Sequence, residues 1–146
     1  MAGEEAKYAY LAGIIDGEGC VSLQSFPQSD FLRPCLIIGQ KNYQFLADLC
    51  IEHPGGRITR SSTGWNLQYT KASVIESVLL SVLPYLRIKK SVAEVVILVC
   101  RVSGKVGGHY SDKERLMRAR LEEEYFKRLE ERKRSALVAP EGMTLQ

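Results

Sequence analysis

The chain has 146 residues, 45% apolar and 25% charged, with a formal net charge of +3. That length holds one compact domain with its own core and excludes a second domain of ordinary size. The mild positive charge admits a nucleic-acid partner without demanding one, but its distribution is uneven: Asp30 is the only acid between Gly19 and Lys41, and 56–71 has Arg57, Arg60 and Lys71 and no acid.

Residues Lys7 to Asp16 carry Tyr8, Leu11, Ala12 and Ile15 at helical spacing. Gly17-Glu18-Gly19 is expected to end that helix. Cys20 to Phe26 alternates, with Val21, Leu23 and Ser25 on one face and Ser22, Gln24 and Phe26 on the other. Pro27-Gln28-Ser29-Asp30 is turn chemistry, and Phe31 to Gln40 reads as the returning strand. Tyr43 to Ile51 is a short helix stopped by His53-Pro54-Gly55-Gly56. Arg57 to Ser61 and Trp65 to Thr70 form a second hairpin, with Trp65, Leu67 and Tyr69 inward and Asn66, Gln68 and Thr70 outward.

Ser73 to Leu83 and Ser91 to Val102 read as apolar helices separated by Pro84. A loop is expected over Ser103 to Gly108. Ser111 and Glu114 suggest a capping box opening a long charged helix from about Asp112 to Arg134. Its Met117, Leu121, Tyr125 and Leu129 predict one stripe packed on the domain, the charges forming a solvated face. Residues 136–146 are expected to be a flexible tail. The whole is a single domain over 1–135, its core 7–102 and a helical extension 111–134.

The four cysteines, Cys20, Cys35, Cys50 and Cys100, make no CxxC pair, and neither histidine sits at zinc-ligand spacing to two of them. Reduced, structural thiols are expected, with His53 and His109 in loops. The acidic start, Met1 to Glu5, lacks a signal-peptide pattern, and runs such as Val95 to Cys100 are too short to span a bilayer. An intracellular protein is expected, in a prokaryotic cytoplasm or an organelle.

Gly13 and Gly17 lie four apart on one helical face. Small residues at that spacing let two helix backbones approach closely. Two such helices about a two-fold axis bring both copies of Glu18 to one spot, where they repel unless a cation lies between them. Oxygen ligands favour Mg²⁺ or Mn²⁺, and metals so placed promote phosphodiester hydrolysis.

The segment Leu11-Ala12-Gly13-Ile14-Ile15-Asp16-Gly17-Glu18-Gly19 resembles the signature of the LAGLIDADG homing endonuclease family, with six of nine letters matching. The resemblance covers roughly Tyr8 to Val102 and implies an α+β fold, an αββαββα core with an antiparallel DNA-binding sheet and C-terminal helices. One motif per chain implies a homodimer through the motif helix, with Leu11, Gly13, Ile14 and Gly17 at the interface. It implies a site-specific, metal-dependent DNA endonuclease. Glu18 and the Gly17 carbonyl are the implied metal ligands, Gln40 orders the water and metal shell, and Lys89 stabilises developing charge near the cleaved phosphate. Arg87 and Lys90 are alternatives for Lys89 should the register shift. The sequence departs from the family pattern at Gln44, which stands where the family has a basic residue that would bear on the solvent network. Glu18 stands where Asp is also found, which bears on metal preference.

The implied product is a double-strand break across the minor groove with 3′ overhangs, in a pseudo-palindromic site of roughly two helical turns. Outward residues expected to read the major groove are Ser22, Gln24, Phe26, Gln28, Arg33, Cys35, Ile37, Arg57, Thr59, Ser61, Asn66, Gln68 and Thr70. Lys41, Lys71, Lys89 and Lys90 are expected on phosphates. The lack of splicing residues at the ends favours a free-standing product over an intein. The alternatives are a catalytically inactive DNA-binding regulator, an RNA intron maturase of the same fold, and a helical dimerisation module with no nucleic acid.

Overall fold

The computed structural model describes residues 2–103 and 110–137. The loop expected from Gly104 to Gly108, His109, and the tail from 138 onward lie outside the described residues. The elements are α1 (Ala2–Glu18), β1 (Gly19–Gln24), β2 (Arg33–Gln40), α2 (Tyr43–Glu52), β3 (Arg57–Arg60), β4 (Trp65–Tyr69), α3 (Ala72–Val82), a 3₁₀ turn (Leu83–Tyr85), α4 (Lys90–Val102) and α5 (Asp112–Leu137). This is the expected α+β order with helical additions. Among the described residues no helix is long and apolar enough to cross a membrane.

The four strands form one antiparallel sheet in the order β1-β2-β4-β3. Two hairpins thus meet through β2 and β4, and the strands that open each hairpin lie at the edges. Val21, Leu23, Leu36, Ile38, Leu67 and Tyr69 are buried against the helices. Burying each large apolar side chain contributes about 1.5–3 kcal/mol. A slip of one residue would turn that whole set to water, so burial fixes the register. The helical side of the core comes from Leu11 and Ile15 of α1, Leu46 of α2, Ile75 and Leu79 of α3, and Val92, Val96 and Val99 of α4.

α1 is longer than its pattern suggested. Glu4 and Glu5 in its first turn complement the helix dipole, and Gly17 keeps a negative φ and stays helical, Gly55 being the described glycine with positive φ. The break comes at Gly19. A Cβ there would lie 2.8 Å from Ile15 Cα and 2.9 Å from its carbonyl oxygen, so the helix-to-strand junction accepts only glycine.

α2 begins at Asn42, whose side chain accepts the Phe45 N–H at 3.0 Å. It is capped by His53, which lies in the connecting segment as expected but is buried there: Tyr8 lies against its ring and Tyr69 Oη donates to its carbonyl at 2.5 Å. β1 stops at Gln24, so Phe26 lies beyond the strand, while Gln28 sits in the turn as expected. All four cysteines are free thiols.

The capping box of α5 is formed: Glu114 N–H donates to Ser111 Oγ at 3.2 Å, and Ser111 N–H donates to Glu114 Oε1 at 3.3 Å. The packed stripe differs from the expected one. Leu121, Tyr125 and Leu129 pack on the core, but Met117 is exposed and Arg118 is buried in its stead. Ala136 and Leu137, expected in the tail, continue the helix.

Candidate active site and sheet surface

The C-terminal end of α1 gathers three chemistries within four residues. Asp16 turns inward, and its carboxylate accepts the backbone N–H groups of Arg87 at 2.8 Å, Ile88 at 3.2 Å and Lys89 at 3.0 Å. One acid therefore satisfies three successive backbone donors of the loop that leads into α4. Lys89 returns the contact: its Nζ donates to the Ile15 carbonyl at 2.7 Å and to the Gly19 carbonyl. Those carbonyls lie at the negative end of α1, where a cation is favoured. Burial, with Arg132 nearby, pulls the Lys89 amine below the ordinary lysine range, and Cys20 and Asp16 oppose this.

Glu18 faces solvent at the last position of α1. Gln40 ends β2, and its Nε2 donates to Glu18 Oε2 at 2.9 Å while its Oε1 accepts the Lys41 N–H at 2.9 Å. The amide is thus oriented from both sides. A cleft of about 390 Å³ opens beside this pair, walled by the β3–β4 turn at Thr63, Gly64 and Trp65. Gly64 lets the turn close on β2, since a Cβ there would meet the Gln40 carbonyl oxygen at 2.8 Å.

The opposite face of α1 is uncovered. Ala9, Tyr10, Gly13 and Gly17 are exposed, and a Cβ placed on Gly13 or Gly17 would meet nothing within 4 Å. Glycine in a helix costs roughly 0.5–1 kcal/mol relative to alanine, and the subunit's own packing does not demand it here. Leu11 does not share this face. It is 1% exposed and belongs to the core, which corrects its expected place at a dimer interface. Ile14 is partly buried and packs against the core from the boundary.

Away from the helices the sheet presents Cys20, Ser22 and Gln24 of β1, Arg33, Cys35 and Ile37 of β2, Asn66 and Gln68 of β4, and Arg57 and Thr59 of β3, paired across the strands. No acid stands among them. A second cleft, of about 680 Å³, lies between the loop before α4 and the end of α5, walled by Arg87, Lys89, Arg128, Arg132 and Lys133.

No protein-family model and no curated protein matches the chain. Solved structures do. The homing endonuclease I-CvuI, in complex with a DNA target in the presence of Mg and uncleaved, shares 20% identity over 99% of this chain and 90% of its own, with a TM-score of 0.73. An archaeal intron-encoded homing endonuclease, I-Vdi141I complexed with DNA, shares 19% identity over 98% and 90%, with a TM-score of 0.69. The LAGLIDADG meganuclease I-CpaMI, bound to uncleaved DNA, shares 17% identity over 65% of this chain and 36% of its own, with a TM-score of 0.57. The chain has the LAGLIDADG homing endonuclease fold.

On this LAGLIDADG scaffold the expected catalytic residues fall into two groups around one helix end. Glu18, Gln40 and Gly17 line one open cleft, and Lys89 approaches from the loop before α4. Arg87 and Lys90 are exposed, whereas Lys89 is anchored. Gln44 donates to Asp48 at 2.9 Å within α2 and joins none of these contacts.

Of the residues expected to read bases, Gln24, Gln28, Arg33, Ile37, Arg57, Thr59, Ser61, Asn66, Gln68 and Thr70 are exposed or partly so, and Phe26 lies under the Arg33 guanidinium at 5.0 Å. Cys35 occupies the expected face but is 1% exposed, with Gln68 Nε2 on its sulfur, and Ser22 is nearly covered, so neither offers a reading side chain. Lys41, Lys71 and Lys90 are exposed. Two residues were missed. Cys20 shares the parity of Ser22 and Gln24, is exposed, and stands two residues from Glu18. Asp16 lies inside the motif, but nothing in the sequence joins it to a loop 71 residues away.

Proposed function

We propose that the chain acts as a homodimeric, site-specific DNA endonuclease that makes double-strand breaks with a bound divalent cation. The observation that carries this reading is the Glu18–Gln40 pair at the end of a helix whose glycine face lacks a cover. A second copy packed on Gly13 and Gly17 brings its own Glu18 alongside.

The donor chemistry fits a hard cation. Glu18 and the Gly17 carbonyl offer oxygen only, and Asp16 is occupied by three N–H groups. Among the described residues no group of three or more His, Cys, Asp or Glu side chains could hold a metal within one chain. The remaining ligands therefore fall to the partner subunit and to DNA phosphates, and Mg²⁺ or Mn²⁺ is the matching choice. When bound, such a cation activates water and offsets phosphate charge.

The chain's own groups do the rest. Gln40 holds the Glu18 carboxylate in one orientation. Lys89 has three N–H donors, two of them engaged. The third is free to meet negative charge developing on a phosphate oxygen. The acid-poor outer sheet face matches the polar edges of the major groove, with Asn66 and Gln68 suited to adenine and Arg33 and Arg57 to guanine. A C2 dimer reads a pseudo-palindromic site.

The test is cleavage of a randomised pseudo-palindromic DNA library with Mg²⁺, beside Ca²⁺ and beside Glu18→Gln. Mg²⁺-dependent double-strand cuts at one long site, abolished by Glu18→Gln, support the nuclease. Selection of one site with no cut in any divalent metal replaces it with a DNA-binding regulator. Failure to select DNA sinks both.

A further inference from the structure

α5 contacts the far end of the β1–β2 hairpin at one residue, Leu32. Glu122 Oε1 accepts the Leu32 N–H at 2.7 Å, and Arg118 Nη2 donates to the Leu32 carbonyl. Residues four apart share a helical face, so one turn of α5 holds both polar groups of Leu32. Arg118 Nη1 donates to Ser103 Oγ, and the guanidinium lies 5.3 Å from the Phe31 ring, which Tyr110 meets edge-on at 5.8 Å.

Arg118 is only 2% exposed, its Nε has no partner, and burial pulls its pKa below the usual arginine range. Burying a cation in this way is costly, and an apolar side chain of similar volume is often neutral or better for stability. What arginine adds here is a fixed position for Leu32. The next residue is Arg33, the first of β2, on the outer sheet face above Phe26.

The distance from the cutting site gives this contact a consequence. β1 begins beside Glu18 and runs six residues, or about 20 Å at ~3.3 Å per residue. That is roughly six base-pair steps at ~3.4 Å each. We infer that the Glu122–Arg118 clamp on Leu32 is a specificity-determining device, which holds the hairpin end at a fixed height over the outer base pairs of each half-site. The inference rests on the DNA-cutting reading above, and it assigns α5 a positioning role remote from the chemistry.

The experiment uses the full-length protein and its selected target with every base pair substituted in turn. Glu122→Leu is expected to flatten base preference at the outer positions by about tenfold. The preference near the cut and the rate at saturating DNA stay as in the unaltered protein. Glu122→Gln keeps an acceptor for Leu32 N–H and keeps the profile. Should Glu122→Leu not fold, Arg118→Lys, which cannot span Leu32 and Ser103 together, gives the same outer flattening.

Hydrogen exchange at the Leu32 amide in DNA-free protein reads the clamp directly and speeds up in Glu122→Leu. An unchanged profile overturns the inference, as does equal loss of preference at every position or unchanged Leu32 exchange. An unaltered protein that selects no DNA at all overturns instead the nuclease reading on which it stands.

Discussion

Asp16 accepts the backbone N–H of Lys89 at 3.0 Å, and Lys89 in turn donates its side chain to the carbonyl of Ile15, the residue before Asp16, at 2.7 Å. The two residues lock the motif helix to the loop before α4 in both directions. Replacing Asp16 by alanine leaves three N–H groups without their acceptor. Unfolding in urea should show a loss of about 1–3 kcal/mol. Cleavage should fall more than DNA affinity, because the displaced group is Lys89 and not the reading face. Equal losses in both would mean that Asp16 only supports the fold.

Lys89→Met should lower the single-turnover cleavage rate by about 10²–10³-fold with little change in Kd, as removal of one preorganised donor does elsewhere. The pH profile carries a sign. The Lys89 amine sits below the usual lysine range, through burial first and Arg132 second. Its charged form is therefore lost at lower pH than in a free lysine, and the rate should decline on the alkaline side earlier than a free amine predicts. Arg132→Gln removes a repelling cation and should move that decline to higher pH. An alkaline limb that ignores Arg132 would remove Lys89 from the rate.

Gly13→Ala should raise the intrinsic stability of α1 by roughly 0.5–1 kcal/mol, since the added methyl meets nothing in the subunit. Sedimentation should nevertheless show a weaker dimer, and cleavage should fall with it. Gly17→Leu should leave a folded monomer. Undisturbed dimers in both variants would place the interface elsewhere.

His53 is buried, and burial with Lys7 nearby lowers its pKa below the ordinary 6.5 while Glu52 opposes this. The folded protein therefore holds it neutral. As the pH falls below about 6.5 the unfolded chain takes up a proton that the folded chain resists, so stability declines down to the folded-state pKa and levels off there. Thermal melts between pH 7.5 and 5.5 should show the decline, and His53→Phe should flatten it. An identical slope in His53→Phe would assign the pH effect to other groups.

The sheet was legible because its alternation is plain: Val21 and Leu23, Leu36 and Ile38, Leu67 and Tyr69 are inward where period two puts them. Glu18 was singled out by the motif and Gln40 by the family resemblance, and the two side chains meet at 2.9 Å. The boundary of α1 was not, because Gly17 reads as a breaker, and only the close approach of Gly19 to Ile15 reveals the true junction. Cys35 and Ser22 have the right parity, but neighbouring side chains cover them: Gln68 lies on the Cys35 sulfur in central β2, and Gln24 lies on Ser22 in edge strand β1. Arg118 could not be read as buried, since a charge at that helical position looks like solvent until Leu32 is seen beneath it. Contacts between residues 71 or 86 positions apart leave no local trace.

α1 has two loyalties around its circumference. Turning it by one residue would swing Leu11 and Ile15 out and drive the bare glycine strip inward, so none of its sides is free to drift. The outer sheet face has no such double duty. Its side chains at Gln24, Arg33, Asn66 and Gln68 hang from a frame already secured on the other surface. If this face reads DNA as proposed above, a lineage carrying this frame can change the sequence it addresses by exchanging those side chains one at a time, while the helix proposed to join two copies stays as it is.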